Sequence, residues 1–193
     1  IRQSDIQIDY LTPLPRYQAL DKVMRQAKGE KFRVNISGVD EFHISHNNIL
    51  IEACNTSFQC HLQVSPDEFT DMYNWAQLIA GPVLSACTNS PLLFENELWM
   101  ETRIALFQQS CDIRQVNHAI RKKQPRVSFG FDWVKNGIND LYKSHVSRYK
   151  LLLTRKISED SLQVIKDSGT PKLEALCLHN GTVYLWNRPC YGV

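Results

Sequence analysis

Asn55-Thr56-Ser57-Phe58-Gln59-Cys60-His61-Leu62-Gln63-Val64 is the stretch on which the fold turns. Side chains alternate across a strand, so Ser57, Gln59, His61 and Gln63 share one face and Phe58, Cys60, Leu62 and Val64 the other. The apolar face predicts burial against a core. The opposite face presents a hydroxyl, two amides and an imidazole in a row. A solvated sheet face is the bland reading of such a row. Gln-x-His-x-Gln also suits a binding face, because amides and imidazole favour specific hydrogen bonds or metal contact.

Working outward, a helix is expected directly after this strand. Ser65 is a candidate N-cap, Pro66 suits the first helical position and Glu68 completes a capping box. Phe69, Met72, Tyr73, Ala76, Ile79 and Ala80 form its apolar stripe, and Gly81-Pro82 is expected to kink or break it. Asn89-Ser90-Pro91 forces a turn. Upstream, Tyr17 to Ala27 has helical spacing with Gly29 as its stop. Lys31 to Ile36 alternates as a strand, and a second strand is expected over Asn48 to Ala53.

Downstream, Trp99 to Phe107 reads as strand or helix, and Ser110 to Ile120 as helix. A basic loop covers Arg121 to Arg126, and Val127 to Phe131 reads as a short extended piece. A long amphipathic helix is expected over Trp133 to Leu153, with Val134, Ile138, Leu141, Tyr142, His145 and Tyr149 inward. Shorter helices follow at Ser158 to Lys166 and Pro171 to Leu176. The chain closes on an expected hairpin: Leu176 to His179, an Asn180-Gly181 turn, and Thr182 to Asn187, with Tyr184, Trp186 and Arg188 on one face. Strands and helices in groups predict an α+β fold: a mainly antiparallel sheet with helices packed on one side.

Composition narrows the function classes. The 193 residues fit one domain, and a net charge of +2 gives no electrostatic argument for nucleic acid or a membrane surface. No apolar run approaches membrane-spanning length. The six cysteines form no CxxC pair, so a zinc framework is not indicated, and reduced, buried thiols of a cytoplasmic protein are expected. P-loop, GxGxxG, HExxH and GxSxG motifs are lacking. Arg103, in Trp99-Met100-Glu101-Thr102-Arg103, reads either as a partner of Glu101 or as a fork for a carboxylate or phosphoryl oxygen. Arg188, between Trp186 and Tyr191, carries the same alternatives. Trp186 and Tyr184 read first as core, and the Arg121–Arg126 loop as solvated, with nucleotide phosphates as its second reading.

Four of these segments, in order, resemble the glutamate–cysteine ligase type 2 family. Ala53 to Val64 is similar to its "(S/T)xQVxL" strand, and the helix Asp67 to Ala80 followed by Ala86-Cys87-Thr88-Asn89-Ser90-Pro91 to its helix and "ANSP" turn. Arg103, in Trp99 to Ile104, stands where the family has an arginine before its next helix, and His179 to Pro189 resembles a segment of bacterial members with "GTxxxWNRPxYG". The resemblance implies a curved antiparallel sheet like that of glutamine synthetase. It implies an ATP-dependent carboxylate–amine ligase, in which the glutamate γ-carboxylate is phosphorylated and an amine such as cysteine displaces phosphate. ATP and Mg²⁺ are the implied cofactors. His61 would be a metal ligand, and Arg103 and Arg188 catalytic cations. Ser57, Gln59, Gln63, Asn89, Trp99, Trp186 and Tyr191 would line the substrate and nucleotide site. The family's acidic "ExE" and "RxEnR" strands have no counterpart here, and Glu52 and Glu101 are the local substitutes. The chain, 1–193 as a single domain, is therefore expected to be the middle portion of a longer ligase catalytic domain, weak or inactive alone. A non-catalytic amino-acid or nucleotide-binding relative is the alternative, and an unrelated α+β binding domain a third. Nothing in the residues selects the amine or an oligomeric state.

Overall fold

Phe32, Val34 and Ile36 are almost wholly buried while Arg33, Asn35 and Ser37 face out, and this alternation makes strand β1, Phe32–Ser37. In the computed structural model, which describes residues 2–114 and 125–191, β1 pairs antiparallel with β2, Glu41–His46, in a register running from Phe32 opposite His46 to Ser37 opposite Glu41. Helix α1, Pro15–Lys28, starts with Pro15 in its first turn and ends at Gly29, whose φ of 68° suits glycine. Asp21 is buried on α1, where its carboxylate takes the Ile49 N–H at 3.0 Å and the Arg25 guanidinium at 2.8 Å.

The chain continues through α2 (Leu50–Ala53), α3 (Phe69–Ala86), the short antiparallel pair β3 (Leu92–Leu93) and β4 (Asn96–Glu97), and α4 (Thr102–Ser110). Three more helices follow: α5 (Ile138–Arg148), α6 (Ser161–Lys166) and α7 (Glu174–Asn180). The main core joins Val34, Ile36 and Phe42 of the hairpin to Ile51, Leu98, Ala105 and Leu106. A second cluster holds Met24, Phe32, Ile49 and Leu152, and a third Tyr149, Val183 and Leu185. The architecture is α+β with two small antiparallel sheets among the described residues. No helix among them is long and apolar enough to cross a membrane.

Several expectations change. Asn48 to Ala53 is not a strand: the Asn48 side chain accepts the Leu50 N–H at 3.0 Å and Asp21 takes that of Ile49, which turns the chain into α2. The second strand is β2. The stretch Ser57 to Gln63 is also not a strand, and both of its faces are exposed. The outward edge of β1 is closed at Asn35, whose N–H and C=O bond the Gln109 side chain at 2.7 and 2.9 Å, so residues 57–63 cannot pair there. Helix α3 begins at Phe69 rather than after Ser65, because Ser65 Oγ donates to the Glu68 carboxylate at 2.7 Å and caps no backbone N–H. It also runs through Pro82. Leu78 and Pro82 are exposed there, so water can serve the carbonyl that proline leaves without a donor.

In the C-terminal half, Val127 to Phe131 bends instead of extending, and α4 ends where a helix from Ser110 was expected to begin. Positions 115–124 of that helix and of the basic loop lie outside the described residues. Arg126 is buried, donating to the carbonyls of Thr182 and Lys150. The long helix shrinks to α5, opened by Gly137 at φ 92°, yet Val134, His145 and Tyr149 do point inward. Asp160 caps α6 by accepting the N–H groups of Leu162 and Gln163. The expected hairpin is replaced by α7. Gly181, at φ −63°, lacks the positive φ a primed turn needs, and its N–H extends the helical pattern to Cys177 O.

Candidate functional site: an anchored arginine

The turn at Asn89-Ser90 and the start of α4 meet because the β3–β4 pair folds the intervening chain back. Phe94 and Glu95 form its tip at φ 45° and 70°, and the Asn96 amide bonds the carbonyls of Leu93 and Phe94. Ser90 then bridges to the segment before α4, its N–H reaching Met100 O and its C=O accepting from Thr102 N–H, each at 3.1 Å. This places Glu101, 6 % exposed, beneath the turn.

One Glu101 oxygen accepts from Arg103 Nε at 2.6 Å and from Ser90 Oγ; the other accepts the Asn89 N–H at 3.4 Å. Arg103 Nη2 donates to Asn89 Oδ1 at 2.8 Å and Nη1 to Thr56 O at 3.1 Å. The Arg103 hydrogen bond holds the Glu101 carboxyl below the usual range against the opposing effect of burial, and Ser90 adds to it. Reciprocally, Glu101 raises the guanidinium. Nε and one hydrogen on each terminal nitrogen are thus engaged. A second hydrogen on each terminal nitrogen remains, on a side chain 31 % exposed, and that pair can grip an anionic oxygen.

Of the residues anticipated for the site, Asn89 and Arg103 come together. Trp186 approaches the same helix face: its ring lies 5.6 Å from Phe107, one turn along α4 from Arg103. Trp99 instead braces the β1–β2 turn through Nε1 to Ser37 O at 2.9 Å. Tyr191 donates to Pro171 O at 2.8 Å. Arg188 is exposed and makes no ion pair among the described residues. Ser57, Gln59, His61 and Gln63 are all exposed, so the polar row faces solvent. The expectation of buried thiols holds for Cys111 alone: Cys60, Cys87, Cys177 and Cys190 are exposed and Cys54 half-buried, all free. The exposed ones sit on segments or faces without a core behind them.

The described residues do not fit Mg²⁺. Both Glu101 oxygens are consumed by Arg103, Ser90 and Asn89, and Glu52 lies apart, in a cavity lined by Leu20, Met24, Ile49, Ser110, Cys111 and Tyr184. No group of three His, Cys, Asp or Glu side chains able to hold a metal occurs among the described residues. The cavity, with room for about one water, was not anticipated. Burial raises the Glu52 carboxyl, pushes the Cys111 thiol far up, and lifts Tyr184 to about 12. Such a thiol is a poor nucleophile.

A second buried polar group also went unanticipated. His145 is 2 % exposed and, among the described residues, neither of its ring nitrogens nor the hydroxyl of the adjacent Tyr149 has a hydrogen-bond partner. Burial lowers His145 below its ordinary 6.5, and lowers His46, stacked on Phe32, against the opposing Asn48 carbonyl. As pH falls through 6.5, unfolded imidazoles take up protons that these two resist. Stability is therefore complete above 6.5 and declines below it, until the lowered folded values are reached, by up to about 1.4 kcal/mol per pH unit for each ring. Urea midpoints at pH 7.5 and 5.5 check this, and equal midpoints would reject it.

Comparisons with protein-family models, curated proteins and solved structures returned no match to this chain.

Proposed function

We propose that the chain supplies the anion-gripping arginine of an ATP-dependent carboxylate–amine ligase similar to glutamate–cysteine ligase. One observation carries the reading. A single guanidinium, Arg103, ties together three segments that the resemblance sets in order: the start of the polar stretch at Thr56, the Asn-Ser-Pro turn at Asn89, and the helix it opens. In such a reaction the protein needs no nucleophile; a preorganised cation at the developing acyl phosphate supplies the stabilisation. In this reading residues 57–63 join a curved antiparallel sheet, His61 turns to the site, and glutamate and an amine such as cysteine are the substrates. The described residues do not themselves hold the metal that such a reaction uses.

A second reading, a non-catalytic amino-acid or nucleotide-binding relative, is favoured by the use of both Glu101 oxygens within the chain. Incubation with ATP, Mg²⁺, glutamate and a panel of amines separates the two. A ligase releases ADP only when glutamate and an amine are both present, and Arg103→Lys lowers kcat/KM by about 10–100-fold. Full activity in His61→Ala removes His61 from the site. No ADP with any amine, but calorimetric binding of glutamate or ATP that Arg103→Ala weakens, supports the binder. Neither turnover nor binding rejects both.

A further inference from the structure

Residues 57–63 carry a self-complementary pattern. No backbone N–H or C=O from Ser57 to Val64 is hydrogen-bonded within the described residues, and every side chain from Ser57 to Gln63 is exposed. Phe58 is 88 % and Leu62 60 % exposed, large values for apolar groups. No Asp, Glu, Lys or Arg occurs from Ala53 through Pro66, so two copies of the stretch meet without like-charge repulsion. An unpaired, alternating segment of this kind is a template for a second strand.

We propose that two copies of the chain associate through this segment as antiparallel strands about a two-fold axis at Cys60. Residues directly opposite in an antiparallel pair share a face. In this register Phe58 meets the partner's Leu62, Cys60 meets the partner's Cys60, Gln59 the partner's His61, and Ser57 the partner's Gln63. Apolar meets apolar on one face and amide meets imidazole on the other, as an isologous contact requires. A slip of one residue sets Gln59 against Leu62 and mixes the faces. The register uses the whole exposed run and stops where Thr56 O is taken by Arg103 and Val64 is half-buried. The contact is independent of the ligase reading: it uses the unpaired backbone of residues 57–63, and a protein without ATP turnover still pairs this way.

Cys60 makes the test direct. Opposed residues in an antiparallel pair have Cα atoms about 4.5–5.5 Å apart, within the range a disulfide spans. In a variant with Cys87, Cys177 and Cys190 changed to Ser, diamide is expected to trap a covalent dimer. Two Cys60 thiols then give up two protons and two electrons to the S–S bond, and diamide is reduced to its hydrazine. Adding Cys60→Ser abolishes the trap. Under reducing conditions, sedimentation velocity of the wild-type chain is expected to give a dimer that dissociates on dilution. Phe58→Lys, at an exposed position, weakens it at least about tenfold with an unchanged circular dichroism spectrum. A monomer at about 100 µM overturns the proposal. So does a dimer indifferent to Phe58→Lys, or one trapped as readily after Cys60→Ser, or an open series of aggregates.

Discussion

Phe42→Ala is expected to lower the unfolding free energy by about 3–5 kcal/mol. Phe42 is 2 % exposed on β2, directly opposite Ile36, and its ring stacks on Phe94 at 5.8 Å with 22° between planes. It joins the hairpin to Ile51, Leu98 and α4 in the main core, so truncation removes apolar burial and leaves a cavity walled by parts of four elements. Those walls are tied elsewhere. Gln109 clamps α4 to β1 at Asn35, and Asp21 holds the entry to α2. Collapse around the missing ring is therefore limited, and the cost belongs at the upper end for a large-to-small change. Against a typical domain stability of about 5–15 kcal/mol, the variant is marginal at 25 °C. Urea unfolding reads the effect as a lower midpoint at unchanged slope. Val39→Ala, at a position 74 % exposed in the adjoining turn, serves as control with a change within about 0.5 kcal/mol. A loss below about 1 kcal/mol in Phe42→Ala would mean that this ring is not central to the core.

The same hairpin marks how far sequence reasoning reached. Phe32, Val34 and Ile36 announce β1 because one strand against one core is a local pattern. Its partner β2 was missed because its inward positions are Phe42, Ile44 and His46, and a buried histidine reads as polar. Ser57 to Gln63 has the alternation of a strand, but alternation specifies only the faces. Pairing depends on an edge elsewhere, and the β1 edge is occupied by Gln109. The Asn180-Gly181 pair suits a hairpin in isolation, yet the helical hydrogen bonds of Glu174–Asn180 outweigh that preference and leave Gly181 in the right-handed region. At the candidate site, Glu101 and Arg103 were legible as neighbours and Asn89 by its place in the motif order. The carbonyl of Thr56 was not, since any residue carries one. The cavity at Glu52 and Cys111 draws on distant segments and leaves no local signal.

Gly38→Ala tests how the hairpin holds the site. A Cβ at Gly38 would stand 2.5 Å from Leu98 Cα, 2.7 Å from Leu98 C and 2.9 Å from Leu98 O, all backbone atoms that cannot rotate away. Its φ is not in the left-handed region, so the requirement for glycine is one of space. Leu98 cannot retreat easily: its side chain is 5 % exposed in the core and its N–H bonds Pro91 O at 2.8 Å. The turn is meanwhile stitched to the same segment by Asp40 N–H to Glu97 O at 2.8 Å, Glu97 N–H to Asp40 Oδ2 at 2.7 Å, and Trp99 Nε1 to Ser37 O. A methyl group must push the turn off residues 97–99 and stretch these bonds. Overpacking costs about 1–3 kcal/mol and each weakened hydrogen bond about 1 kcal/mol, so a total of at least about 3 kcal/mol is expected. The displaced segment leads directly into Glu101, so Arg103 also loses its fixed orientation, and the proposed grip on an anion should weaken in whatever fraction stays folded. Gly81→Ala gives the opposite sign. Nothing lies within 4 Å of a Cβ there and the position is inside α3, so alanine should stabilise by about 0.5–1 kcal/mol through helix propensity. Urea melts of the pair decide the matter: if Gly38→Ala matches Gly81→Ala, the contact between the turn and Leu98 does not hold this segment in place.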